Sequence, residues 1–109
     1  MALSAYKGMW LMVMFDLPVD SSKNRKIYAH FRKELLKHGF VMLQYSVYAR
    51  YCASEETSQI YRKYVRQVLP EEGEVRVVSL TDRQFGKMEV FCGEKHKKPE
   101  KIPAQLEFF

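Results

Sequence analysis

A chain of 109 residues with 47% apolar and 28% charged side chains has the composition of a single folded domain around one core, not of a disordered tail. Eighteen Lys and Arg against thirteen Asp and Glu leave a net +5, a modest excess that points toward a polyanionic partner. The longest apolar run, Met9–Phe15, is far shorter than the roughly 20 residues of a membrane helix and is followed by no small-residue cleavage pattern, so neither a membrane span nor a secretory signal is expected.

Residues 1–8 are mostly small or polar and read as a mobile leader. The run from Trp10 to Phe15 has strand length and no polar face, which predicts a central strand covered on both sides. Asp16-Leu17-Pro18 stops it, because proline cannot donate to a ladder. Asp20 or Ser21 then caps a helix over Ser22–His38. At 100° per residue Tyr28, Phe31 and Leu35 share one face, while Lys26, His30, Lys33 and Lys37 share the opposite one. Between residues 21 and 38, Lys23, Arg25, Lys26, Arg32, Lys33 and Lys37 face Glu34 alone, so this one helix carries a charge equal to that of the whole chain. Gly39 suits the left-handed position after a helix.

Phe40–Cys52, rich in Val, Tyr and Phe, predicts two short strands around a kink at Gln44-Tyr45-Ser46. Ser54 followed by Glu55 and Glu56 opens a second helix with a hydroxyl cap and anions at its positive end. Ile60, Tyr61, Tyr64, Val65 and Val68 are its expected buried stripe, and Pro70 ends it. Glu71-Glu72-Gly73 is a turn, Glu74–Leu80 a strand, Thr81–Gly86 a loop and Lys87–Cys92 a further strand. Gly93–Pro103 is polar and rich in Lys, and the chain closes on Phe108-Phe109.

The order β-α-β-β-α-β plus one extra strand predicts an α+β, ferredoxin-like domain over residues 9–92. Residues 93–109 form a basic C-terminal tail, whose apolar end would serve partner or dimer contacts. The extra strand has no place in a four-stranded sheet. Pairing it with the sheet edge of a second copy would make a two-fold homodimer. Cys52 and Cys92 are too few for a disulfide scaffold and too far apart for a metal knuckle. They read as buried thiols on strands, in a reducing, cytoplasmic compartment.

Asp16 is the one carboxylate where a central strand meets a loop and a helix start. It reads either as a turn residue before Pro18 or as a metal ligand. A two-fold axis nearby would supply a second Asp16, and Mg²⁺ is content with one or two carboxylates, waters and a phosphate. The basic stripe reads either as a solvated face or as a phosphate-contact surface without base readout. Seven Tyr and seven Phe offer stacking platforms in principle, though most sit at core periodicity. His30, His38 and His96 are too scattered for a metal site, and no nucleophile set or glycine-rich phosphate loop is visible. A stand-alone ferredoxin-like regulatory or RNA-binding module without nuclease activity stays open on composition.

Val13-Met14-Phe15-Asp16-Leu17-Pro18, Arg25, Gly39 and Gln44-Tyr45-Ser46-Val47-Tyr48 together resemble the small CRISPR-associated adaptation protein family, Cas-two, from about Met9 to Cys92. The stretch Val77–Phe85 and the ending Gln105–Phe109 look most like members from type II systems. The resemblance implies a ferredoxin-like homodimer whose last strands cross to the partner's sheet. It implies an Asp16 that faces its symmetry mate, binds Mg²⁺ and is catalytic in a metal-dependent endonuclease acting on single-stranded RNA or double-stranded DNA. It also implies a role beside the Cas-one integrase in spacer acquisition, where the dimer spans captured double-stranded DNA and Arg25 contacts nucleic acid. Many members carry Glu after Ser-Val-aromatic. Here Ala49-Arg50 follows Tyr48, so that second acidic ligand is missing.

Overall fold

The computed structural model describes residues 8–93. Strand β1 (Met9–Asp16), helix α1 (Ser22–Lys37), strands β2 (Val41–Gln44) and β3 (Val47–Cys52), helix α2 (Glu55–Gln67), strand β4 (Glu74–Thr81) and a short helix α3 (Asp82–Gly86) follow in that order. The strands form one antiparallel sheet in the order β2-β3-β1-β4. With α1 and α2 on one face, this is the expected ferredoxin-like α+β fold. None of the helices among the described residues is long and apolar enough to cross a membrane.

The continuous apolar run of β1 follows from cover on both sides. Leu11, Val13 and Phe15 point toward α1 and α2, where they meet Phe31, Leu35, Tyr48 and Val65. Trp10 points the other way and is as fully buried as they are. Phe85 of α3 lies on it, with Ala49 beside the pair. Burying a side chain such as Leu11 or Val13 contributes about 1.5–3 kcal/mol, so β1 is the element on which the core is organised.

The helix caps are as local chemistry dictates. Ser21, rather than Asp20, accepts the Asn24 N–H at the start of α1, and Ser54 accepts that of Thr57 at the start of α2. Phe31 and Leu35 are buried and Tyr28 is half-buried. In α2 the outcome departs from the expected stripe. Ser58 and Val65 are the buried residues, with Tyr61 and Val68 packed beside the core, whereas Ile60 is 52% and Tyr64 38% exposed. Small Ser58 lets the helix approach the sheet closely, and its hydroxyl is satisfied by the Glu55 carbonyl at 2.7 Å. The helix therefore turns its 58-61-65-68 line inward.

Three further expectations need correction. Thr81–Gly86 is not a loop: Thr81 and Gln84 form a reciprocal capping box that folds the segment into α3. Lys87–Cys92 is not a strand in the single chain. Backbone bonds from Lys87 to Gln84 and from Met88 to Phe85 close the turn after α3, and Val90 and Phe91 are exposed. A strand needs an edge to pair with, and this segment meets none. Cys92 is consequently exposed and off any strand, while Cys52 is buried on β3 as expected. Of the expected leader, Gly8 is buried, and its carbonyl accepts the Asp82 N–H at 3.1 Å. Residues 1–7 and the tail from 94 onward, with Phe108-Phe109, lie outside the described residues.

Candidate functional site

Asp16 ends β1 with an exposed side chain on the sheet face away from α1 and α2. Its backbone is fixed from two sides. Gly73, at φ 93°, packs so closely that a Cβ there would sit 2.6 Å from the Asp16 carbonyl oxygen. On the other side the Phe15 N–H donates to the Ser46 carbonyl at 3.0 Å, extending the ladder to the β2–β3 turn. Asp16 pairs in register with Glu74 of β4, so the two carboxylates are same-face neighbours. Arg76 holds Glu74 at 3.1 Å, which leaves Asp16 as the unpaired one. No cluster of three or more His, Cys, Asp or Glu side chains able to hold a metal occurs among the described residues. At this end of the sheet the described residues thus offer one unpaired carboxylate, a set that fits Mg²⁺ only with water, phosphate or a second chain completing it.

The turn beside Asp16 is unusual. Ser46 is the one non-glycine residue at positive φ (64°) among those described. Its hydroxyl shares a 2.8 Å hydrogen bond with the Tyr28 hydroxyl, and Tyr28 in turn touches Phe15 and stacks on Tyr45. Burial pushes the Tyr28 phenol up to about 12, partly offset by the bond to Ser46. Tyr48 of the Ser46-Val47-Tyr48 triplet is core, fully buried and stacked on Phe15. Ala49, at the position where the resemblance would place Glu, is sealed under Trp10 and Phe85.

Arg25, Lys26, Lys33 and Lys37 are all exposed on α1. Arg25 donates to the Val19 carbonyl at 3.3 Å, which tethers it to the loop after Asp16. Lys26, His30, Lys33 and Lys37 run along the outer surface of the helical layer over about 16 Å, opposite the buried Phe31 and Leu35. The ion pair among the described residues, Arg76 with Glu74, involves none of them. The structure therefore gathers Lys26, Lys33 and Lys37 on one surface and sets Asp16 on the other, with Arg25 at the end that joins them. Two residues of the site escape sequence reasoning. Glu74 becomes a neighbour of Asp16 only through strand register, and Tyr45 is 70% exposed at the turn tip, a position that the kink at 44–46 already hinted at.

On the face of the sheet away from the helices, Met12, Met14, Val41, Leu43 and Val47 are only half-buried and Val78 is 38% exposed. α3 covers this face only around Trp10.

Residues 9–88 match the family model described as CRISPR associated protein Cas2. The chain is 50% identical over 101 residues to a protein of Parvibaculum lavamentivorans named CRISPR-associated endoribonuclease Cas2, covering 93% of this chain and all of that one. It is 47% identical over 107 residues to a protein of the same name from Flavobacterium psychrophilum, covering 98% of this chain and 93% of that one. A solved structure titled "Crystal structure of cas2" superposes with a TM-score of 0.58 at 17% identity, over 87% of this chain and 97% of that one, a likeness of fold.

Proposed function

This chain belongs to the Cas2 family of CRISPR associated proteins, and from that premise we propose that it works as a homodimeric, double-stranded DNA-binding adaptor beside the Cas-one integrase in spacer acquisition. The carrying observation is the row of exposed, unpaired Lys26, Lys33 and Lys37 along α1, with Arg25 at its start. Side chains of one charge at helical spacing contact phosphates without reading bases. The bare apolar sheet face supports a homodimer, since contiguous exposed apolar surface marks an interaction site. The free edge of β4 and the unpaired segment 87–92 support pairing between copies. The stretches Val77–Phe85 and Gln105–Phe109 favour a type II system, and the two cysteines, too few for a disulfide scaffold, a cytoplasmic setting.

The test is a Lys26→Glu, Lys33→Glu, Lys37→Glu variant. Its duplex affinity should collapse, and the slope of log affinity against log salt should shrink by about 5, at roughly 0.9 for each of the six phosphates that the two chains lose. Unchanged affinity rejects the adaptor reading. Sedimentation equilibrium that finds a monomer at working concentrations rejects the dimer.

A second reading, a Mg²⁺-dependent endonuclease acting on single-stranded RNA, is favoured by the exposed Asp16 and by the endoribonuclease names of the relatives. Asp16, from one chain or from both, would hold the ion. Bound there, Mg²⁺ supplies charge neutralisation at a phosphodiester and activation of water. The chain's own part is to fix the Asp16 backbone between Gly73 and Ser46 and to present Arg25 to the strand. Cleavage should stop with EDTA and with Asp16→Asn. A purified Asp16→Asn protein that cuts as fast as the parent overturns this reading.

A further inference from the structure

The turn between β2 and β3 displays an aromatic ring for which neither the core nor the basic helix accounts. Tyr45 is 70% exposed. One face of its ring lies near-parallel to Tyr28, 17° apart with centroids at 5.6 Å. The other face meets solvent. The backbone that presents it is held in a costly conformation, because Ser46 at φ 64° lies in a region that disfavours L side chains. Two bonds keep it there, the Ser46 carbonyl to the Phe15 N–H and the Ser46 hydroxyl to Tyr28. A turn strained and doubly tied in this way displays a rigid ring that loses little entropy when something stacks on it.

Position says what that is. Met14 pairs with Val47 and Phe15 bonds to Ser46, so the turn that carries Tyr45 lies beside the end of β1 at which Asp16 sits. Arg25, one helical turn before Tyr28 on the same side of α1, brings a cation to the same end of the sheet. An aromatic face, a guanidinium and a free carboxylate at one end of the sheet suit an unpaired base, its phosphate and its ion.

We propose that Tyr45, backed by Tyr28, is the stacking platform for one unpaired nucleobase of a strand whose backbone lies at Asp16. This rests on the single-strand reading of the Asp16 site. It makes Tyr45 a specificity-determining residue, because a continuous duplex keeps both faces of every base inside its own stack and has none to give.

The test measures binding in an Asp16→Asn background without divalent metal, so that it stands whether or not the parent hydrolyses RNA. The probes are a single-stranded RNA carrying one fluorescent adenine analogue and a covalently closed duplex circle. Tyr45→Ala should weaken the single strand roughly 5- to 100-fold and abolish quenching of the analogue, with the duplex changed less than twofold. Tyr45→Phe and Tyr45→Trp, which keep a ring, should retain both the affinity for the single strand and the quenching. Equal losses on strand and duplex, or an unchanged affinity of Tyr45→Ala for the strand, overturn the proposal. So does a Tyr45→Phe protein that behaves like Tyr45→Ala, since that would assign the effect to the hydroxyl.

Discussion

Phe85 lies flat against Trp10, with ring centroids 4.0 Å apart and planes 9° from parallel, and the Trp10 indole N–H donates to Asp82 at 2.8 Å. Five residues of α3 thereby close one patch of a sheet face that is otherwise open. Phe85→Ala should cost about 3–5 kcal/mol in urea unfolding, the range for emptying a buried aromatic site. It should also move the emission of Trp10, the chain's single tryptophan, to longer wavelength. An unshifted emission with unchanged stability would mean that α3 is not what buries Trp10.

Gly73 is the second point where one side chain decides local geometry. At φ 93°, and with a virtual Cβ 2.6 Å from the Asp16 carbonyl and 2.7 Å from Leu17, it has no room for alanine. Gly73→Ala should destabilise by roughly 1–3 kcal/mol and displace the end of β1. The check is thermal unfolding together with the amide shift of Asp16. A variant as stable as the parent would contradict this packing.

Tyr28 should ionise late. Its value of about 12 lies above the ordinary 10, so the folded protein holds this proton more tightly than the unfolded chain. The resulting stabilisation is complete below pH 10 and is lost as pH rises from about 10 toward 12. Phenolate absorbance should show a step above the ordinary phenol range, and Tyr28→Phe should remove one tyrosine's share of it. If Tyr28→Phe removes absorbance from the ordinary range instead, Tyr28 is not shielded.

The two thiols should react at very different rates. Burial pushes the Cys52 thiol up, which lowers its thiolate fraction as well as its access, whereas Cys92 is exposed. A disulfide reagent should therefore label one thiol quickly in the native protein and the second only on unfolding, and Cys92→Ser should remove the fast phase. Two fast equivalents would be inconsistent with a sealed Cys52.

Much of the architecture was legible because it rests on short-range rules. The unbroken run of β1, the Phe31/Leu35 face against the lysine row of α1, and the Ser54-Glu55-Glu56 start of α2 each carry their signal within a few turns of chain. α3 is hard to read from sequence although Thr81 and Gln84 spell a capping box, because five residues show no periodicity. The inner line of α2 is only half legible, since a period of 3.6 permits both 60-64 and 58-61-65-68, and only the sheet decides between them. Lys87–Cys92 has an alternating strand pattern, yet pattern alone supplies no partner. At the site, Asp16 was visible from its place before Leu17-Pro18. Its tie to Glu74 was not, because register is a property of two strands and cannot be read from either one.

The closure of Ala49 beneath Phe85 and Trp10 also limits how this protein can be redesigned. A carboxylate substituted there would enter a fully buried site packed against two rings, where an unpaired charge is expensive. Anyone seeking to graft a second acidic group onto this scaffold would first have to remove the little lid that α3 forms, and would lose the anchor of Trp10 in doing so.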